Sequence, residues 1–232
     1  KPEFEKSMIG GHMYMLDYRY MQFEAGASLK KMEVRFFNRF WNMTRAQCVS
    51  CNEVDNPIQY SGWWYSVIPT SIITRDNLPL PVFIHCDDEE YGLRNRKNGT
   101  ILLNGICVWH PQSINKAPVK MVYYDIRNIL IATAPKEVRY SRFEVLSHVT
   151  RRIIGGCIRY RYQDAEVNLA AVKDFYRGVD YFINLDPIEN HNRLNVHNFI
   201  YENPGAYPDL DMSKLENDSW PMGNSRLFLK SL

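Results

Sequence analysis

Apolar and polar positions recur at two different periods along this chain, and the change of period divides it. Met8 to Leu16 reads as a strand, interrupted by Gly10-Gly11. That pair either admits the close approach of a backbone or ligand or forms a β-bulge. Gln22 to Ala27 has small residues and no clear period, whereas Leu29 to Trp41 mixes bulky apolar and basic residues at helix-like spacing. The polar stretch Asn42 to Asn56 reads as loop. Gly62 to Ile68 reads as a strand ended by Pro69, followed by a short helical turn over Ser71 to Arg75 and an extended Leu78-Pro79-Leu80-Pro81. Leu80 to Ile84 reads as a short buried strand, and Tyr91-Gly92-Leu93-Arg94 suits the first turns of a helix. Asn98-Gly99 marks a turn, and Thr100 to Trp109 is a β-rich run closed by His110 and Pro111.

Beyond Tyr123-Tyr124 the helical period takes over. Phe143, Leu146, Val149, Ile153 and Ile154 recur at that period, Gly155-Gly156 breaks the run, and Leu169, Val172, Phe175, Tyr176 and Val179 mark a second amphipathic helix. The expectation is a helical hairpin over residues 135–187. After Asp186-Pro187 the chain turns rich in Asn and Pro, so residues 188–232 are expected to form an irregular tail. Residues 1–134 carry the strands, and the fold class expected is α/β with a mixed sheet.

The 232 residues are 45% hydrophobic and 13% aromatic, enough for a sizeable core. A net charge of +2 argues against nucleic acid as a partner, since such proteins are strongly basic. No apolar stretch approaches the roughly 20 residues that cross a bilayer, and no signal-peptide pattern opens the chain. Five cysteines without secretory features suggest reduced thiols in a cytoplasmic setting. Cys48 and Cys51 form a C-x-x-C, but Cys86, Cys107 and Cys157 supply no second pair for a zinc ribbon. Arg151, Arg152, Arg159 and Arg161 give the hairpin a basic surface, read either as a solvated face or as contact with an anionic membrane, such as the inner face of the cell membrane.

Four consecutive carboxylates, Asp87, Asp88, Glu89 and Glu90, follow the apolar run that ends at Cys86. They fall at a strand-to-helix switch, the place where open α/β sheets bind ligands. Asp87 and Glu90 also satisfy a capping box, and acids in a first turn complement the helix dipole. Capping accounts for two acids and not for four, because adjacent like charges raise one another's pKa. Carboxylates so perturbed in a cleft are candidates for general-base chemistry. Adjacent strand residues face opposite ways, so of Trp63 and Trp64 one indole is expected in the core and the other beside a cleft, where it can stack on a sugar. His110, at the end of a strand expected to neighbour the one that precedes Asp87, is a candidate contact for metal or phosphate.

In order along the chain stand I-G-G-H-M-Y-M-L with Q-F-E-A-G-A, then G-W-W-Y-S-V-I-P, L-P-L-P-V-F-I-H-C-D-D-E-E-Y-G-L-R, L-N-G-I-C-V-W-H and Y-Y-D-I-R-N. Together they resemble the family-2 glycosyltransferases of the GT-A fold, in the galactofuranosyltransferase-like branch, over about Met8 to Ala134. The resemblance implies the acceptor half of a GT-A domain, catalysing inverting transfer of a sugar from a nucleotide-diphosphate donor, such as a UDP-sugar, to a glycan hydroxyl. It implies Asp88 as the general base of a D-D-x-E segment, with Asp87, Trp63, Trp64 and Glu90 at the acceptor. Gly10 and Gly11 would lie near the donor. His110 would join a D-x-D pair around a divalent metal, manganese or magnesium.

That D-x-D pair has no counterpart among these residues, and the chain opens at Lys1. The chain is therefore expected to be a fragment that lacks the nucleotide half, retains no metal and transfers little alone. A sheet edge left open would favour a homo-oligomer. The competing reading is a carbohydrate-binding or assembly module that keeps the acceptor platform without catalysis. A glycoside hydrolase fits poorly, since contiguous acids do not flank a glycosidic bond from opposite sides.

Overall fold

Strand β1 (Met8–Met15), buried at six of its eight positions, is the axis of a five-stranded mixed sheet. The computed structural model describes residues 4–111, 119–135 and 138–197. β2 (Met21–Glu24) runs antiparallel against the second half of β1, and β6 (Ser66–Val67) antiparallel against its first half. β5 (Trp41–Asn42) extends the sheet from β2, while β7 (Thr100–His110) runs parallel to β1 along its length. The register of β1 with β7 slips between Gly10 and His12, where β7 bulges through Gly105 at φ +87°. A Cβ on Gly10 would stand 2.1 Å from Ser61 Oγ, and one on Gly11 3.1 Å from the Tyr65 ring. The close-approach reading of the glycine pair holds, the group that comes close being the protein's own segment before β6, while the bulge lies opposite the pair on β7.

The helix expected over Leu29 to Trp41 is instead a β-hairpin, β3 (Ala27–Lys30) with β4 (Glu33–Phe36). Its two-residue turn, Lys31-Met32, has both φ values positive (53° and 61°). This is the backbone of a type I′ turn, which sequence usually announces by Asn-Gly. Within the expected loop of 42–56 lies a short helix, α1 (Ala46–Cys51). The strand expected over Gly62 to Ile68 shrinks to β6, because Gly62 to Tyr65 fold into a turn.

No strand forms over Leu80 to Ile84. Prolines 79 and 81 lack the N–H a strand needs, and Phe83, His85 and Cys86 all take positive φ (74°, 63° and 62°). The loop is held from outside by α3 (Val119–Ala132), a helix buried on almost every side. Asn128 donates to the carbonyls of Ile84 and His85 at 2.5 and 2.8 Å, and Arg127 donates to that of Val82 at 2.6 Å. The loop feeds α2 (Asp87–Asn95), whose first turn holds all four acids. Cys86 is the N-cap, in the left-handed region, and its side chain accepts no bond from the helix amides, so the capping box is absent.

α4 (Arg142–Ile158) and α5 (Tyr162–Phe175) follow, with a true capping box at Ser141 and Glu144. Gly155 and Gly156 do not interrupt α4. Gly156 lies where an added Cβ would come within 3.2 Å of Arg161 O and Ala165 N, so its missing side chain admits the start of α5. The apolar positions read as a core stripe on α4 are largely outside it: Phe143 and Leu146 are exposed, and only His148, Val149 and Gly156 are buried. α6 (Val179–Ile183) and α7 (Pro187–Arg193) continue the helical part, with Asp186 capping α7 and Pro187 opening it. The expected irregular tail thus begins as helix and a 3-10 turn to His197; its remainder lies outside the described residues.

α2 joins two apolar clusters. Leu93 packs with Leu29, Tyr60, Tyr123, Tyr124 and Val167 in the larger one. Tyr91 packs with Met8 and Ile72 under Trp63 in the smaller. The helix that carries the acids is therefore fixed on both sides.

Candidate functional site

The acids of α2 separate by depth. Asp87 is exposed, Asp88 and Glu89 are half-buried, and Glu90 is 1% exposed. Asp88 Oδ1 accepts the Glu89 amide at 2.8 Å. Burial, and then the charge of Asp87, push the Asp88 carboxyl up to about 6, while the backbone amides of Glu89 and Trp63 pull it down. The Trp63 main chain therefore lies near the carboxylate. Glu89, at the x position of the D-D-x-E segment, is pushed up to about 7 by burial, against the stabilising donation of the Cys86 thiol to its Oε2 at 3.0 Å.

Glu90 serves the fold. Arg94 holds it bidentately, at 2.7 Å from Nε and 3.0 Å from a terminal nitrogen, so the carboxylate expected at the acceptor is already committed. Arg94 also reaches the Leu78 carbonyl, tying α2 to the extended segment before the loop.

The two tryptophans sit in a turn, not a strand, and both are half-buried. Trp63 packs on Tyr91 with ring centroids 5.9 Å apart, within the smaller core. Trp64 covers Gly62 and lies 6.4 Å from the His110 ring. His110 ends β7, which neighbours β1; no strand precedes Asp87 for it to adjoin. Its Nδ1 donates to the Pro111 carbonyl at 2.6 Å, which leaves Nε2 as the lone-pair nitrogen suited to a metal. Among the described residues no group of three His, Cys, Asp or Glu could hold a metal ion, so His110 fits the role of one ligand and not of a whole site. Gly10 and Gly11 are filled by Ser61, Leu102 and Tyr65 and leave no room there for a donor.

Three features escaped the sequence reading. Glu24, on β2, is 1% exposed and pushed up to about 8 by burial and then by Asp88, with Arg39 opposing. The guanidinium of Arg39 stands over Phe23, Phe36 and Phe40 at 4.6, 5.1 and 4.6 Å. His85 donates to Asp125 at 2.7 Å, which raises its pKa. Glu24 lay inside a quoted motif, but no period marked β2 as a strand. A cavity of about 730 Å³ lies elsewhere, between Arg177, Tyr181, Asn190 and Arg193. None of the acids of α2 lines it.

A mixed α/β frame thus presents a half-buried carboxylate with a raised pKa at the start of α2 and, at the end of β7, the Trp64 indole next to the His110 imidazole. No family model matches the chain. Over 142 residues it is 30% identical to the galactofuranosyltransferase GlfT2 of Mycobacterium tuberculosis, covering 55% of this chain and 21% of that one. Over 125 residues it is 31% identical to GlfT2 of Mycolicibacterium smegmatis, covering 52% and 19%. The chain is galactofuranosyltransferase-like in sequence and spans about a fifth of the length of these curated relatives. No described helix is long and apolar enough to cross a membrane.

Proposed function

We propose that residues 1–134 form the acceptor half of a GT-A galactofuranosyltransferase that inverts configuration, with Asp88 as general base. The observation that carries this reading is the environment of Asp88. It is held at a helix start, with the Trp63 main chain nearby, and raised to a value at which a carboxylate can take a proton near neutral pH. Asp88 removes the proton of a glycan hydroxyl as that oxygen attacks the anomeric carbon, and the nucleotide diphosphate departs from the opposite face. Trp64 offers an apolar face to the acceptor ring. His110 would hold a manganese or magnesium ion together with carboxylates outside the described residues. When bound, such an ion neutralises charge on the departing diphosphate.

Asp88→Asn, assayed in a protein that transfers sugar, tests this. Loss of transfer by at least about a hundredfold, with glycan binding kept, is the expected result. Undiminished transfer would remove Asp88 from the chemistry. A non-catalytic glycan-binding module is the second reading. Asp88→Asn separates the two, since it abolishes transfer under the first reading and leaves function intact under the second; micromolar binding of UDP with manganese to this chain would place the donor site within it. Contact of the arginine-bearing α4 with an anionic membrane surface accompanies the first reading, because Phe143, Leu146, Ile154 and Ile158 stand exposed on the same helix.

A further inference from the structure

β2 buries the wrong face for its composition. Its apolar residues Met21 and Phe23 are only half-buried, while Gln22 and Glu24 are sealed at 0% and 1% exposure. Gln22 is fully engaged: its amide donates to the Asn38 carbonyl at 3.0 Å and to Asn52 at 3.2 Å, and its oxygen accepts from Asn52 at 2.7 Å. Glu24, two residues on and facing the same way, has a carboxyl oxygen, Oε2, with no partner among the described residues. Buried polar atoms are almost always bonded, so an orphan calls for an explanation.

A second orphan stands nearby. The Tyr60 hydroxyl is buried and reaches toward Glu89 without completing a hydrogen bond. Tyr60 is fixed by its main chain, paired to Ala27, and by Gly92 of α2, where an added Cβ would come within 2.3 Å of the Tyr60 Cβ. The two groups come from different parts of the chain, and both feel the charges of Asp88 and Glu89. The two side chains also feel each other, so their polar ends lie close together behind Asp88 and Glu89.

We propose that Glu24 is an acceptor-binding residue, whose free carboxyl oxygen receives or donates a hydrogen bond to a sugar hydroxyl beside Asp88. This rests on the acceptor-site reading and extends it to a residue of β2 outside the acid tetrad. Its raised pKa, about 8, supports the role, because a neutral carboxyl can donate as well as accept and adds no repulsion next to Asp88. A hydroxyl-bearing ligand would satisfy both orphans, whereas an anionic group would meet the charge of Asp88. Discrimination of this kind is steep, since a ligand lacking the hydroxyl leaves a buried group unpaired.

The test is calorimetric titration of a synthetic galactofuranosyl tetrasaccharide into the full 232-residue chain and two variants, with thermal melts of each. Glu24→Leu is expected to weaken binding about tenfold or more and to raise the melting temperature, because it removes an unsatisfied buried polar group. Glu24→Gln, which keeps shape and neutral hydrogen bonding, is expected to bind within about threefold of the parent chain, a gap below 1 kcal/mol. Unchanged affinity in Glu24→Leu would overturn the inference and leave the acceptor reading standing. A lowered melting temperature in Glu24→Leu would also overturn it, by showing that Glu24 holds the fold. If the parent chain binds no glycan, the acceptor reading fails and takes the inference with it.

Discussion

The side-chain amide of Asn128 donates to the main-chain carbonyl of His85 at 2.8 Å, so one residue of a buried helix holds the loop that delivers Asp88. The same amide serves Ile84 at 2.5 Å and Val82 at 3.2 Å. Three carbonyls of a chain with positive φ at Phe83, His85 and Cys86 thus converge on a single donor group. The backbone strain of that loop is tolerated because these bonds over-determine it.

Asn128→Ala should therefore destabilise the protein by about 2–4 kcal/mol, since it leaves more than one buried carbonyl unsatisfied. Urea denaturation measures this. A loss under about 0.5 kcal/mol, the range of a plain surface substitution, would mean that the loop is held by something other than this clamp. Glycan binding should fall in parallel if the loop positions Asp88.

The parts of the fold that could be read from sequence are those with strong local signals. β1 and β7 alternate or run apolar, α2 begins where the acids begin, and α5 repeats at the helical period. The hairpin β3–β4 was hidden because its turn uses Lys31-Met32 where Asn-Gly is usual. The loop 80–86 imitates a strand in composition, and only the remote partners Arg127 and Asn128 show why it is not one. Asp88 was legible from its place in the acid run at the start of α2. Glu24 was not, because its meaning depends on facing inward beside Gln22, which only the pairing of β2 with β1 decides.

The pH dependence of stability follows from opposed groups. Glu24 and Glu89 have folded values of about 8 and 7, above the ordinary 4.5, so the folded protein holds protons that the unfolded chain releases. Their contribution falls as pH rises from about 4.5 through 8. His148, lowered to about 4 by burial, and His12, lowered for the same reason, act oppositely below 6.5, where the unfolded chain gains protons that the folded one refuses. Between pH 6.5 and 8 the acids act almost alone. Stability should drop across that window by at most about 2 kcal/mol for Glu24, and Glu24→Gln should flatten the decline. Melting curves at half-unit steps decide it, and a parent profile that is flat or rising would contradict the raised value.

His85 adds a smaller effect of the same sign. Its hydrogen bond to Asp125 raises its pKa, so the stabilisation is complete below 6.5 and is lost as pH rises through the raised folded value. Both side chains are nearly half exposed, and solvent screening limits the pair to under about 1 kcal/mol. Titration of the His85 ring by NMR should give a value above 6.5 that returns toward 6.5 in Asp125→Asn. A parent value at or below 6.5 would dissolve the pair.

The approach of β1 to the segment before β6 makes a sharper prediction, because it has an internal control. A Cβ at position 10 would stand 2.1 Å from Ser61 Oγ, 2.5 Å from Ser61 Cβ and 2.9 Å from Leu102 Cδ2. Gly10→Ala should cost about 1–3 kcal/mol through overpacking, since backbone on both sides prevents an easy retreat. Two of the three clashes are with Ser61, so Ser61→Gly should recover much of the loss, and the double-mutant cycle should show coupling of about 1 kcal/mol or more. Additive effects would mean that the strand moves as a whole to admit the methyl group. In that event the turn carrying Trp63 and Trp64 would move with it, and glycan affinity in Gly10→Ala should change even where stability does not.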